Sequence, residues 1–193
     1  MMKHILAASF SLCTAVTAWG QAATISVGTP LNILDNQKKV LVQTERGAIE
    51  ISRVMTPCAK NGGVLQPLVP VMGVHPVGEI EILQALSDRG SLVVDMRETS
   101  DRVKGTIPGS VGIPYTEVAN RLGELGCQKE GTAWRCENAK KIYAFCNGPV
   151  CPQSPIAIKA MTREGFPAEK IYYYRGGMLD WDALGLTVVK DEF

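Results

Sequence analysis

The sequence has few of the residues that build metal centres, and its charges are nearly balanced. Histidine occurs only at His4 and His75, and 20 Lys and Arg residues stand against 19 Asp and Glu residues. Neither a repeat nor a low-complexity tract is visible. This balance gives no reason to expect binding to nucleic acid or to an acidic membrane surface. Cys127 and Cys136 lie too far in sequence from a second close cysteine pair for a confident zinc pattern. With so few histidines as well, the sequence predicts neither a metal site nor a cofactor.

The chain lacks a long hydrophobic run, but it begins with a short one. Lys3 and His4 precede an apolar run over residues 5–18, and small residues follow up to Ala23. This order is typical of a secretory signal peptide, and the run is shorter than the ~20 residues of a membrane span. We therefore predict a signal peptide over residues 1–22, export to the periplasm, and no membrane span once the signal is removed. A buried N-terminal helix is the alternative.

Residues 23–76 are predicted to form a β-rich extension and a linker. Two short strand candidates, 39–44 and 48–54, are separated by a glycine-containing turn. Glycines and prolines then recur throughout residues 56–76, which forbids a long regular element there. This part is not expected to be an enzyme domain of its own.

From residue 77 to the end, short apolar runs alternate with segments of helical spacing. Such alternation favours an α/β domain with a parallel sheet covered by helices on both faces. Chemistry in such sheets lies beyond the carboxyl ends of the strands, where Asp95, Cys146 and Arg175 fall. The predicted helices are 77–86, 116–125 and 155–164, and the predicted strands are 91–95, a short strand within 105–114, 141–145 and 170–174.

Cys146 is the main candidate for chemistry. It follows an apolar strand and precedes a Gly/Pro-rich loop and a helix, so that backbone N–H groups and the helix dipole favour a thiolate there. A second thiol, Cys151, lies five positions on. No Arg or Lys occurs between Cys146 and Lys159, which excludes a phosphatase that needs an arginine fork. The other candidate residues of this loop are Asn147, Gly148, Val150, Gln153 and Ser154.

Four groups of residues resemble the rhodanese domain, a family of sulfurtransferases. They are Asp95–Glu98, Gly105–Ser110, the strand-end Cys146 and Gly176–Trp181. The resemblance covers about residues 77–189. It implies a five-stranded parallel sheet and a catalytic cysteine that cycles through a persulfide, with loop amides and a helix N-terminus stabilising the sulfur anion.

Two positions depart from the family's pattern. Cys151 stands where the rhodanese loop carries an arginine, and Thr106 stands where a histidine is common. Without the loop arginine, a neutral persulfide or thiol donor is favoured over thiosulfate, a dianion. Arg97 or Arg175 would replace the missing charge only if the fold brings one of them to the pocket.

The two loop cysteines leave three functions open. In sulfur transfer, Cys146 takes sulfur from a small donor as a persulfide and passes it to a thiol or to cyanide. In dithiol redox chemistry, Cys146, expected to be the more acidic thiol, attacks a thiol- or disulfide-bearing protein and Cys151 resolves the mixed disulfide. In the third, a permanent disulfide staples the loop, and the domain binds a partner without catalysis.

One further pair of cysteines is interpreted as structural. Cys127 and Cys136 bracket a turn with a central glycine, and a local disulfide is the simplest interpretation in an oxidising compartment. Cys58 is left either as a free thiol or as a partner of one of the loop cysteines.

A carboxylate–guanidinium contact between Asp95 and Arg97 is expected to fix the turn after the predicted strand 91–95.

Overall fold

The computed structural model describes residues 39–44, 47–52 and 63–190, and within them the chain forms nine strands and four α-helices. The strands are β1 (Lys39–Thr44), β2 (Gly47–Ser52), β3 (His75–Pro76), β4 (Ser91–Asp95), β5 (Val111–Gly112), β6 (Gln128–Glu130), β7 (Ala133–Arg135), β8 (Lys141–Phe145) and β9 (Ile171–Tyr174). The helices are α1 (Glu79–Ser87), α2 (Thr99–Arg102), α3 (Gln153–Arg163) and α4 (Gly177–Ala183), with short 3₁₀ helices at Val118–Asn120, Leu122–Leu125 and Ala168–Lys170.

Five of these strands make one parallel sheet in the order β3-β9-β8-β4-β5. Its central strands β4, β8 and β9 are short apolar runs, as expected for strands that are buried on both faces. Parallel pairing carries the ends of β4, β8 and β9 to the same edge, where Asp95 pairs with Phe145 and Phe145 with Tyr174. The predicted α/β class with a five-stranded parallel sheet is confirmed.

Helices cover both faces of the sheet, as predicted. One face packs against α3 and the first two 3₁₀ helices, and the other packs against α1 and α4. Alternate residues along a strand point to opposite faces, so that Val93 and Val94 of β4 belong to different core clusters. Burying an aliphatic side chain of this kind contributes about 1.5–3 kcal/mol.

Three parts of the domain differ from the sequence-based expectation. Instead of the helix predicted over 116–125, the structure has two 3₁₀ helices. They end at Gly126, whose φ of 93° is incompatible with an α-helix. The second strand is only Val111–Gly112, held between turns. The sheet also begins earlier than the predicted boundary at 77, because β3 lies inside the presumed linker.

The N-terminal extension contains the two predicted strands. β1 and β2 form an antiparallel hairpin. The predicted signal peptide (1–22) and Cys58 lie outside the described residues. No helix in the described part of the chain is long and apolar enough to cross a membrane.

A second hairpin, β6–β7, carries the predicted disulfide. Cys127 and Cys136 are bonded to each other across it, with their Cα atoms 4.3 Å apart. Both cysteines belong to the core cluster on the α3 face. The hairpin is thereby tied to the domain at its base while its strands stay largely exposed.

Candidate active site

Cys146 lies at the carboxyl end of β8, as predicted, but it is completely enclosed. Its relative exposure is 0%, and its Sγ donates a hydrogen bond to the backbone carbonyl of Cys151 at 3.4 Å. The loop from Asn147 to Pro152 therefore closes over the thiol before α3 begins. Cys146 and Cys151 are both free thiols in the structure.

Cys151 lies near the end of this loop and lines a pocket of about 840 Å³, with 8% of its surface exposed. Cys146 is not among the residues that line it. Of the predicted loop residues, Ser154 also stays outside the pocket, and it is fully buried. The other four predicted loop residues line the pocket, together with Arg97, Asp101, Lys104, Gly105, Tyr115, Pro152, Ile156, Met178, Leu179, Asp182 and Val188.

The surroundings of the two thiols reverse the expected order of their acidities. Burial raises the pKa of Cys146 well above its ordinary value, with the adjoining Cys151 adding to the effect and the N–H and hydroxyl of Ser154 opposing it. A hydrogen bond from Cys146 lowers the pKa of Cys151 to about 7, assisted by the N–H groups of Asn147 and Gln153. The expectation that Cys146 is the more acidic thiol is wrong, because enclosure outweighs the helix N-terminus.

The start of α4 fixes the backbone of the active loop. The N–H groups of Met178 and Leu179 donate to the carbonyls of Cys146 and Asn147, each at 3.0 Å. Gly177 makes this approach possible: its φ is +55°, and a Cβ there would lie 2.1 Å from the Cys146 carbonyl oxygen. This role of Gly177 was missed from the sequence, where the Gly176–Gly177 pair served only as part of a motif.

Arg97 reaches the pocket, but its donors are largely occupied. Its Nε and Nη2 donate to the two carboxylate oxygens of Asp95 at 2.9 and 2.6 Å, and both side chains are buried. Nη2 also donates to the Gly105 carbonyl, and Nη1 to Asn147 Oδ1 at 3.3 Å. The predicted Asp95–Arg97 contact is confirmed. Since guanidinium has five N–H groups, these four bonds leave at most one for a ligand.

Thr106, at the family's histidine position, completes this buried network. Its hydroxyl donates to Asp95 Oδ2 at 2.7 Å, and Arg102 Nη1 lies 3.6 Å from the same oxygen. Thr106 does not line the pocket. It therefore holds the turn after β4 and has no contact with a substrate in the pocket.

Arg175 does not line the pocket and cannot replace the missing loop arginine. Its Nη1 donates to the backbone carbonyl of Gln66 at 3.0 Å. The N–H of Gln66 in turn donates to the carbonyl of Pro149, inside the active loop, at 2.8 Å. Arg175 thus positions the loop through the segment before the sheet. Gln66 was missed entirely, because nothing in its sequence neighbourhood marks it.

The other charges at the pocket are paired or balanced. Lys104 Nζ lies 3.0 Å from Asp101 Oδ1, and Asn147 Nδ2 donates to Asp101 Oδ2 at 3.2 Å. These hydrogen bonds, that of Lys104 first, lower the pKa of Asp101. Arg97 and Lys104 are matched in number by Asp101 and Asp182 among the lining residues, so the pocket offers no unpaired positive patch to a dianion.

The chain matches the Rhodanese-like domain family over residues 79–184. It therefore belongs to the rhodanese-like domain family. In this chain the fold consists of the parallel sheet described above, with Cys146 at the end of β8 and the active loop held by α4.

Two curated proteins are similar to about half of this chain. An HTH-type transcriptional regulator of Mycobacterium tuberculosis is 31% identical over 96 residues, which is 50% of this chain and 36% of the regulator. The Putative sulfur carrier protein YrkF of Bacillus subtilis (strain 168) is 33% identical over 95 residues, which is 49% of this chain and 43% of YrkF. The chain thus spans less than half the length of either relative.

Among solved structures, the chain is similar to a thiosulfate sulfurtransferase from Pseudomonas aeruginosa, at 19% identity and with a TM-score of 0.49. The match covers 62% of this chain and 21% of that one.

Proposed function

We propose that this protein is a periplasmic sulfurtransferase that holds sulfane sulfur as a persulfide on Cys146. One observation carries the proposal: two free thiols share one loop at the carboxyl edge of the sheet, and that loop opens onto a pocket of about 840 Å³. Membership of the rhodanese-like family and similarity to a protein named as a sulfur carrier support a role in sulfur transfer.

The chemistry is a pair of thiol exchanges without net oxidation. A protein thiolate attacks the outer sulfur of a donor persulfide, R–S–SH, so that the donor's S–S bond breaks, a new one forms on the protein, and R–S⁻ leaves. An acceptor thiolate, or cyanide, then attacks the outer sulfur and the protein thiolate leaves. Backbone N–H groups of the loop stabilise the sulfur anion in both steps.

The pocket favours an organic donor over thiosulfate. Its cations, Arg97 and Lys104, are both held by carboxylates. Apolar side chains from α3, from α4 and from the end of the domain line the rest: Ile156, Met178, Leu179 and Val188. A persulfide of a small organic thiol, or a cysteine persulfide on a partner protein, matches this mixture better than an inorganic dianion.

The proposed location is the periplasm. The basic and apolar start of the chain has the pattern of a signal peptide. The Cys127–Cys136 disulfide supports an oxidising compartment, because such bonds are rare in the cytosol.

Dithiol redox chemistry is the second candidate, favoured by two free thiols in one short loop, with the Cys146 Sγ already in contact with the backbone carbonyl of Cys151. In that case a substrate disulfide takes two electrons and two protons from the pair, and Cys146 and Cys151 end as a disulfide. The two functions leave different products on the protein: one added sulfur atom in transfer, and two lost hydrogens in redox chemistry.

The test is thiocyanate formation from cyanide by the mature chain, with glutathione persulfide as donor. We expect turnover by the wild type and none by the double variant Cys146→Ser/Cys151→Ser. Cys127→Ser/Cys136→Ser is the matched control, since it removes two cysteines outside the pocket and should keep turnover. Wild-type protein that forms a Cys146–Cys151 disulfide and releases no thiocyanate would replace sulfur transfer with the redox function.

A further inference from the structure

We propose that Cys151, and not Cys146, is the thiol that first takes sulfur from the donor, and that Cys146 receives the sulfur from Cys151 and stores it. This inference rests on the proposed sulfur-transfer function and assigns separate roles to its two cysteines. Cys146, at the end of its strand, is then the second of two thiols that carry the sulfur in turn, and we call this order of transfer the relay.

Access to the pocket is the first argument. Cys151 lines it, whereas Cys146 is 0% exposed and lies outside it. The backbone of Cys146 is also pinned, because the N–H of Met178 donates to its carbonyl. The loop is held from its other side by the Gln66 N–H on Pro149. A donor in the pocket therefore has direct contact with the exposed part of Cys151, whereas contact with Cys146 requires the loop to move.

The surroundings of Cys151 also suit the attacking thiol. The N–H groups of Asn147 and Gln153 donate toward its sulfur, and Arg97 contributes a favourable positive charge. The neighbouring Cys146 thiol also lowers the pKa of Cys151. Each of these groups stabilises a thiolate at Cys151, and the thiolate is the nucleophile.

The internal transfer balances without any other reactant. Attack on the donor leaves Cys151–S–S⁻ and releases the donor thiol. The Cys146 proton first passes to the outer sulfur, and the Cys146 thiolate then attacks that sulfur: the Cys146–S bond forms, the Cys151–S bond breaks, and the leaving Cys151 thiolate takes the proton of the new persulfide. The products are Cys146–S–S⁻ and Cys151–SH, with no oxidation or reduction.

The closed side of the loop suits storage. Ser154 is fully buried beside Cys146, and its hydroxyl, which favours a thiolate there, makes no hydrogen bond to the described residues while Cys146 is protonated. The hydroxyl of Tyr173 on β9 is likewise buried without a partner among them, and its pKa is raised by burial and then by the charge of the cysteine pair. A persulfide on Cys146 would give the Ser154 hydroxyl an anionic acceptor, shielded from solvent.

The experiment follows single sulfur atoms on the full, reduced chain. Wild type, Cys146→Ser and Cys151→Ser are mixed with glutathione persulfide, quenched with iodoacetamide at increasing times, and mapped by peptide mass spectrometry. We expect sulfur on Cys151 at early times and on Cys146 later in the wild type. Cys146→Ser should load on Cys151, and Cys151→Ser should load at least about tenfold more slowly than the wild type.

The opposite pattern overturns the relay: Cys151→Ser loading at the wild-type rate, with Cys146→Ser taking no sulfur. In that case sulfur transfer itself stands. If no form takes up sulfur, the proposed function fails and the relay fails with it. A second experiment uses only the wild-type protein without added sulfur, so that it does not depend on the folding of a variant. Cys151 should react with iodoacetamide at least about tenfold faster than Cys146. Equal or reversed rates contradict the assignment.

Discussion

The chain contains two pairs of cysteines that are close in sequence, and they differ in state. Cys127 and Cys136 are nine positions apart and form a disulfide at the base of the β6–β7 hairpin. Cys146 and Cys151 are five positions apart and stay free. Spacing alone therefore does not decide which pair becomes a bond.

The difference lies in what holds each backbone. In the hairpin, antiparallel pairing of Gln128 with Arg135 brings the flanking cysteines together, and both cysteines pack in the core cluster on the α3 face. In the active loop, α4 and Gln66 hold the carbonyls of Cys146, Asn147 and Pro149. The first arrangement is a structural staple, whereas the second presents two thiols in different environments, one enclosed and one at a pocket.

Replacing the buried arginine behind the active loop should have the largest effect on stability. Arg97→Met leaves the buried carboxylate of Asp95 without its bidentate partner, and breaking such a pair costs about 3–5 kcal/mol. The matched control is Arg135→Met in the hairpin, whose ion pair with Glu130 is more than half exposed and contributes about 0–1 kcal/mol. Urea unfolding measures both. Equal losses would mean that the turn after β4 is not held as described.

Displacing the active loop should reduce the rate of sulfur loading more than the loss of folding stability alone explains. Gly177→Ala drives a Cβ into the Cys146 carbonyl, and a shift of about 1 Å at a reacting group lowers rates about a hundredfold. Gly131→Ala in the hairpin is the control, since its φ is also positive, at +60°, but no atom lies within 4 Å of the added Cβ. Rates of sulfur loading compare the two. A full rate in Gly177→Ala would show that α4 does not position the thiols.

Removing the structural pair should cost stability and leave chemistry intact. Cys127→Ala/Cys136→Ala opens a short loop, and loop-closure entropy predicts a loss of about 2–3 kcal/mol. Sulfur loading should stay at the wild-type rate, because neither cysteine lines the pocket. Loss of loading in a variant that remains folded would show that the hairpin takes part in the reaction.

The smallest predicted effect is in the pH dependence of thiol reactivity. The thiolate is the reactive form, so a lowered pKa moves reactivity to lower pH. Alkylation of Cys151 should rise with pH and level off above its pKa of about 7, while Cys146 should stay slow through this range because burial raises its pKa. Rates of iodoacetamide labelling against pH give both curves. A Cys151 midpoint near 9 would contradict the assignment.

The central sheet was predictable from sequence because its strands are short apolar runs with clear ends. The bounds of β4 and β8 match the prediction residue by residue. β3 was not predicted because it has only two residues, one of them a proline, and so carries no periodicity; only the pairing with β9 makes these residues a strand. The 116–125 segment kept its apolar spacing, but Gly123 and Gly126 favour short turns over an α-helix.

The site was predictable in its residues and less so in its geometry. The strand-end position of Cys146 follows from sequence, since a buried strand must end before a Gly/Pro-rich loop. Which thiol faces the pocket depends on contacts with α4 and Gln66, which are distant in sequence. The same holds for Arg175, which lies at a strand end as predicted but contacts Gln66 instead of the pocket.

The most direct test of sulfur transfer at this loop is the intact mass of the reduced full chain after exposure to glutathione persulfide. We expect a gain of one sulfur atom, which cyanide removes and which the Cys146→Ser/Cys151→Ser variant does not show. An unchanged mass, or a loss of two hydrogens with no sulfur gained, would contradict it.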